Sequence, residues 1–306
     1  MTSRIHRSLL ILPVNNPKFV AKAHVRGADA IVLDLEDAVP PSEKREARKL
    51  LKDAVRAVGA GGADVFVRVN NEDDLIEGDI EAAMAPGIHG IFVPKIDTGD
   101  QVRRVERMIA MQEQTHNMAS GAVSVSLHVE SPRGVLNLEE IAAAGTRTES
   151  MSMGVDDYCR EMGIEASEDG EEVLYPLSKM AVVCAAHGIQ PLGVVGSVAA
   201  FKDLTSFERA ALRSKKLGFK GAYCIHPDQV PILNRVFSPT PAKVAHARKI
   251  VAAFEEGLRT GKAAVSLENR MIDTPIYKQA LRCLQLAEDI EELERRKQEA
   301  LGLIQK

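Results

Sequence analysis

The sequence predicts a (β/α)8 barrel with a C-terminal helical lid and extension, on two observations. Short runs rich in Val, Ile and Leu alternate with longer segments of helical period, and there are eight such pairs before residue 260. With 306 residues, 45% of them hydrophobic, the chain can bury a core of that size.

Taken in order, the expected strands are Ser8 to Val14, Ala30 to Leu35, Val65 to Val69, Gly90 to Val93, Val123 to Val129, Ser150 to Met153, Pro191 to Val195 and Gly221 to Ile225. The helical patterns that follow them are Pro17 to Arg26, Glu43 to Val58, Leu75 to Met84, Asp100 to Gln114, Leu138 to Ala144, Val173 to His187, Ser206 to Leu217 and Pro241 to Glu256. The barrel is therefore expected over residues 1–260. Residues 261–306 read as an appendage: a Gly- and Ala-containing connector, then from Thr274 a helix of alternating charge with one apolar stripe.

Composition excludes several classes. A formal charge of -4, no Trp and few aromatics disfavour nucleic-acid binding. Four scattered cysteines, Cys159, Cys184, Cys224 and Cys283, make no C-x-x-C pair and suit buried thiols in a reducing compartment. The apolar run Leu9 to Leu12 is stopped by Pro13, too short for a signal peptide, and no segment approaches a membrane span, so the expected location is the cytoplasm.

Side-chain parity sorts the strands. In the second, Ile31, Leu33 and Leu35 share one face, which turns Asp34 and Glu36 inward, while Asp37 begins the loop. In the third, Val65, Val67 and Val69 face out and Phe66, Arg68 and Asn70 face in. The fifth turns Ser124, Ser126, His128 and Glu130 inward, a polar set that an apolar core would not choose. The sixth and its exit give Ser152, Gly154 and Asp156; the eighth gives Ala222, Cys224 and His226. Asp34, Glu36, Arg68, Lys95, Glu130, Asp156 and His226 thus gather at the carboxyl ends of different strands, where barrel enzymes carry their chemistry.

Two carboxylates without a His or Cys cluster suit a hard, oxygen-preferring ion such as Mg2+, and Glu130 with Asp156 is the best pair. Arg68 supplies a fixed fork for a carboxylate or a developing enolate. No G-x-S-x-G, H-E-x-x-H, Walker or well-placed Rossmann motif is present. These residues point to carbon–carbon bond chemistry through a cation-stabilised enolate, with a Schiff base on Lys95 as the rival.

Eight blocks in order resemble the citrate lyase beta-subunit-like and malyl-CoA lyase family within the HpcH/HpaI aldolase superfamily. They are Arg7 to Ala23, "ADAIVLDLEDAVPPSEKREAR" from Ala28, "VRVN" from Val67, "VPKI" from Val93, "VESPRGVLNLEEIA" from Val129, "MGVDDY" from Met153, "GFKGAYCIHPDQV" from Gly218 and "NRMIDTPIYKQA" from Asn269. The resemblance implies a lyase that binds Mg2+ through Glu130 and Asp156, contacts the oxo-acid or enolate with Arg68, and splits a 2-hydroxyacyl-CoA into an oxo-acid and an acyl-CoA. It implies CoA near the first strand, with Arg7 and Lys18 as candidates for its phosphates. It also implies an acid-base aspartate, Asp273, on a lid often supplied by a neighbouring subunit, and hence a homotrimer or homohexamer. Such a lid favours a free-standing lyase over a citrate lyase beta-like subunit needing an acyl-carrier partner; an aldolase using pyruvate on free hydroxy-oxo acids is the further alternative. Asp34 and Glu36 are expected to orient Arg68 and a water held by the metal. The chain departs from the family pattern at Val14, at Ser131 and Pro132, at Gly193, and in lacking a lysine before "IHP".

Overall fold

The computed structural model describes residues 5–167, 169–199, 201–261 and 263–304. Eight strands form one all-parallel sheet: β1 (Ser8–Pro13), β2 (Ala30–Asp34), β3 (Asp64–Arg68), β4 (Gly90–Val93), β5 (Ser124–Val129), β6 (Thr148–Met153), β7 (Gln190–Leu192) and β8 (Ala222–Cys224). Their order runs β7-β6-β5-β4-β3-β2-β1-β8. The barrel closes between β7 and β8 through a single parallel bridge, Leu192 to Gly221, where Gly193 N donates to Gly221 O at 2.9 Å. Gly221 is required there, since a Cβ would lie 1.9 Å from the His6 carbonyl oxygen.

Helices cover the outside: α1 (Pro17–Ala23), α2 (Lys44–Ala47), α3 (Leu51–Gly59), α4 (Ile76–Ala83), α5 (Gly99–Thr115), α6 (Pro132–Leu136), α7 (Leu138–Ala144), α8 (Val155–Met162), α9 (Leu174–His187), α10 (Leu204–Leu217), α11 (Val230–Phe237), α12 (Pro241–Arg259) and α13 (Thr274–Ile304). Local chemistry starts several of them. Asn16 accepts from Lys18 N and Phe19 N ahead of Pro17, Thr98 and Gln101 form a capping box, and Thr240 caps α12 ahead of Pro241. The eight expected strands are all present, whereas α6, α8 and α11 lie outside the expected helical segments. The connector after residue 260 holds an antiparallel hairpin, β9 (Val265–Leu267) and β10 (Arg270–Ile272). Its turn places Glu268 and Asn269 at positive φ. Among the described residues no helix is long and apolar enough to cross a membrane.

Parity divides the core into two layers. Leu10, Leu12, Ile31, Leu33, Val65, Val67, Val125 and Leu127 pack outward against the helices, while Leu9, Ala30, Val32, Phe66, Phe92, Leu192 and Tyr223 fill the lumen. The eighth strand corrects the sequence reading: Ala222 and Cys224 belong to the outer layer, and Tyr223 faces in, stacked on Phe92 at 4.6 Å. Tyr223 Oη, Ser126 Oγ and Ser150 Oγ form a buried chain at 2.6 and 2.7 Å, so the inward polar residues are paired rather than stranded.

The long C-terminal helix α13 is more than a solvated appendage. Its Lys297 is buried and donates to Asp29 at 2.9 Å, joining Arg7, which grips the same carboxylate through Nε at 2.7 Å and Nη2 at 2.8 Å. Glu294 also pairs with Arg7. Asp29 precedes β2 and Arg7 precedes β1, so this network lies at the amino-terminal floor of the barrel. Arg7 is therefore unavailable to a ligand at the opposite end, a correction of its expected role at CoA. Burial opposes the charge on Asp29, but the Arg7 and Lys297 cations outweigh it and hold its carboxyl below the usual range. A depressed carboxylate contributes stability above the ordinary carboxylate pKa and loses it as pH falls through the folded value.

Replacing Asp29 by Ala would leave two buried cations unpaired, so Asp29→Ala is expected to cost about 3–5 kcal/mol in urea unfolding. Lys18→Ala, on the exposed face of α1, is expected to stay within about 0.5 kcal/mol.

Candidate active site at the carboxyl end of the barrel

A cavity of about 500 Å³ opens at the carboxyl ends of the strands, lined by residues including Asp34, Asp37, Arg68, Glu130, Asp156 and Asp157. It sits where β2, β3, β5 and β6 deliver their last residues.

Asp34 is fully buried at the end of β2, and all its acceptor capacity is used. Its Oδ1 accepts from Glu36 N at 2.9 Å and Arg68 Nε at 2.7 Å; its Oδ2 accepts from Ala38 N at 3.0 Å and Arg68 Nη2 at 2.6 Å. One carboxylate thus fixes both the turn after β2 and the plane of the Arg68 guanidinium. Register makes this possible, because Asp34 and Arg68 are direct partners on the β2–β3 ladder. Arg68 Nη1 reaches Glu36 Oε2 at 3.2 Å and Asp37 Oδ2 at 3.6 Å. Burial works against the cation, but Asp34 and the other two acids raise its pKa well above the ordinary value.

Glu36 is buried behind Arg68 and Lys95 rather than open to the cavity; burial raises its pKa despite those two cations. Asp37, expected only to begin the loop, is the acid of this turn that lines the cavity. Lys95 stands at φ 55° and pairs with Glu36. Desolvation would lower its pKa, but Glu36 and Asp37 raise it, and an amine held protonated is a poor nucleophile. That weighs against a Schiff base on Lys95.

Glu130 follows β5 and accepts from Lys95 N at 2.9 Å. Gly154 makes room for it: a Cβ there would lie 2.8 Å from both Glu130 Oε2 and His128 Nε2. The chain then turns directly into α8, whose first turn carries Asp156 and Asp157. Here the geometry separates two neighbours. Asp156 lines the cavity and accepts from Ser197 Oγ at 2.8 Å. Asp157 instead lies against the Glu130 carboxyl, and burial together with this second acid pushes Glu130 up to about 8. Arg160 also reaches Asp157, at 2.7 Å. The acid beside Glu130 is thus Asp157, not the expected Asp156. Two-residue parity ends where β6 ends at Met153, and the helical phase beginning at Val155 decides which aspartate meets Glu130.

Two close carboxylates fit a hard divalent cation, which would relieve the mutual repulsion that raises Glu130. His128 meets Ser152 Oγ through Nδ1 at 2.6 Å and lies 3.8 Å from Glu130 through Nε2. Burial and the nearby Arg68 cation lower its pKa to about 3, so it is a neutral imidazole at physiological pH.

Other expected residues lie elsewhere. Asn70 extends past the end of β3 and donates to Leu35 O and Asp79 rather than facing the lumen. Lys18 and His226 line an adjoining groove of about 410 Å³ between β1, α1 and the exit of β8, together with Lys22 and Arg26. Asp273 is outside this chain's cavity: its Oδ1 accepts from Ile276 N at 3.2 Å at the start of α13.

Comparison with known proteins places this geometry in a family. Residues 7–227 match the HpcH/HpaI aldolase/citrate lyase family. Citrate lyase subunit beta of Leuconostoc mesenteroides subsp. cremoris is 33% identical over 285 residues, covering 93% of this chain and 94% of that protein. The L-malyl-CoA/beta-methylmalyl-CoA lyase of Rhodobacter capsulatus is also 33% identical, over 304 residues, covering 91% and 93%. Among solved structures, CitE from Mycobacterium tuberculosis in complex with magnesium, acetoacetate and coenzyme A superposes with a TM-score of 0.72 at 25% identity, covering 94% of this chain and all of that one. Because the citrate lyase beta match reaches into residues 261–306, the appendage alone does not separate a free-standing lyase from a complex subunit. The chain is a member of the HpcH/HpaI aldolase/citrate lyase family of carbon–carbon lyases.

Proposed function

We propose that this chain is a Mg2+-dependent lyase of the malyl-CoA or citramalyl-CoA type, cleaving a hydroxyacyl-CoA to an oxo-acid and an acyl-CoA. The observation that carries the reading is the acid pair Glu130–Asp157 sharing one cavity with an arginine locked by Asp34. Glu130 and Asp157 would hold the ion, with Asp156 beside them. When bound, the ion supplies positive charge that polarises the oxygens of the substrate.

The chain's own residues do the rest. Asp34 fixes the Arg68 fork before substrate arrives, so an oxygen of the oxo-acid would meet a guanidinium already held in place. In cleavage, a base takes the hydroxyl proton, the carbon–carbon bond breaks, and the hydroxyl carbon becomes the oxo group. The electron pair passes to the thioester as an enolate, which is then protonated at carbon. His128, neutral and held by Ser152, can donate or accept a hydrogen bond without adding a competing cation. The amino end of α8 adds a favourable field for negative charge at the mouth. The adjoining groove is lined by Lys18, Lys22 and Arg26, cations that would bind the phosphates of CoA. Asp273 would enter from a second copy of the chain, in a homotrimer or homohexamer. The match to citrate lyase subunit beta favours a second reading, a subunit that acts on a carrier-bound thioester.

The direct test incubates the protein with Mg2+ and malyl-, citramalyl- or β-methylmalyl-CoA and follows oxo-acid release. Turnover that EDTA abolishes is expected; turnover insensitive to EDTA would contradict the reading, and activity only on a carrier-bound thioester would favour the second.

Metal binding must displace the proton from Glu130, whose pKa is about 8. Mg2+ affinity measured by calorimetry is therefore expected to weaken by up to about tenfold per pH unit below that value. Glu130→Gln should abolish both the binding and its pH dependence.

Asp273→Asn is expected to lower turnover while leaving Mg2+ binding unchanged. If the lid acts between copies, mixing Asp273→Asn with Arg68→Met subunits restores activity that neither variant has alone. Full activity of Asp273→Asn would remove Asp273 from the chemistry.

A further inference from the structure

The opposite end of the barrel carries a second cluster, with different donors. His6 precedes β1, Asp64 opens β3, His89 precedes β4 and Glu149 is the second residue of β6, so the four meet at the amino-terminal floor. His6 Nδ1 lies 3.3 Å from Glu149 Oε1, and His89 Nε2 lies 2.9 Å from Glu149 Oε2. His6 Nε2 meets Asp64 Oδ2 at 3.0 Å. One ligand atom from each of His6, His89 and Glu149 falls within 4.8 Å of the others, and no other such trio occurs among the described residues. The Phe66 ring packs edge-on against both imidazoles, at 5.4 and 5.0 Å, and limits their rotation.

We propose that His6, His89 and Glu149 form a structural binding site for a borderline transition ion, zinc above all, with Asp64 as the carboxylate that orients His6. Zinc takes imidazole nitrogen and carboxylate oxygen at about 2.0–2.2 Å, which sets neighbouring ligand atoms about 3.4 Å apart in a tetrahedron. The His6 contact to Glu149 is already close to that spacing, and the hydrogen-bonded His89 contact at 2.9 Å would open by about half an ångström to admit the ion. Asp64 on the far nitrogen of His6, its other oxygen 3.3 Å from Arg296, is the usual support for a ligating histidine, and Glu149 brings a negative charge to the ion. Imidazole donors select zinc over magnesium, whereas the oxygen set at the mouth does the reverse. Bound there, the ion would tie together the amino ends of four strands without touching the chemistry at the other end. The competing arrangement is a proton alone, with a charged His6 bridging Asp64 and Glu149.

The test uses chelator-stripped full-length protein saturated with Mg2+ and titrated with Zn2+ or, for its spectrum, Co2+. One equivalent per chain is expected, with the visible absorption of four-coordinate Co2+ and a Zn2+-dependent rise in Tm. His89→Gln or Glu149→Gln should lower Zn2+ affinity by more than about a hundredfold, Asp64→Asn by about ten- to a hundredfold, and Glu130→Gln should not change it. Should the floor variants fail to fold, anomalous scattering at the zinc edge from wild-type crystals grown with both metals decides. A peak between His6, His89 and Glu149 supports the site. No stoichiometric Zn2+ binding, or Zn2+ binding lost in Glu130→Gln, overturns it.

Discussion

The bidentate pairing of Asp34 with Arg68 is the interaction on which the mouth of this barrel depends. It joins two adjacent strands at direct register partners, and the same carboxylate anchors the turn that carries Glu36 and Asp37. A buried carboxylate is costly unless every lone pair is used, and here four donors use them. The guanidinium is consequently immobile before any ligand binds. Lys95, Glu36 and Glu130 continue the same network from strand to strand, so the site is assembled as one hydrogen-bonded rim.

The two ends of the barrel divide labour through their donor types. At the mouth, Glu130 has room beside Gly154 and meets Asp157 at the start of α8, and burial together with this second acid raises its pKa. At the floor, charges are compensated: Asp29 is held by Arg7 and by Lys297 from the far end of α13. The C-terminal helix is thereby fastened to the scaffold at its tail, while the hairpin β9–β10 that precedes it packs with α12 and α13 around Phe254 and Ile272. A lid carried on this arrangement starts from a fixed base.

Much of this was legible in the sequence. Alternation of Val, Ile and Leu gave away all eight staves, and parity placed Asp34, Arg68, His128 and Glu130 inside because those residues lie within or directly after long strands. The same reasoning failed where strands are short or stop. Three-residue β8 offers no alternation to average over, so polar His226 points to the wrong face and hides the inward Tyr223. Beyond Met153 the period changes from strand to helix, so strand parity singles out Asp156 where the helix turns Asp157 toward Glu130. The glycine followed by two acids in "GVDDY" was the available signal for a helix start. An arginine ahead of a strand, such as Arg7, reads alike whether it faces a ligand or a partner. Asp29 and Lys297 are distant in sequence, and only the fold brings them to it.

If the proposed reaction runs at this mouth, Asp34 is the residue that sets the Arg68 fork for it. Asp34→Asn keeps the shape but converts two of the four acceptor positions to donors, so the grip on Arg68 loosens while Glu130 and Asp157 remain. The decisive measurement is steady-state kinetics of this variant beside Mg2+ calorimetry, on whichever hydroxyacyl-CoA the wild-type protein turns over. A fall in kcat of about a hundredfold or more is expected, on the scale of losing one charge-stabilising donor, with Mg2+ affinity unchanged. Wild-type kcat in a folded Asp34→Asn protein would contradict it.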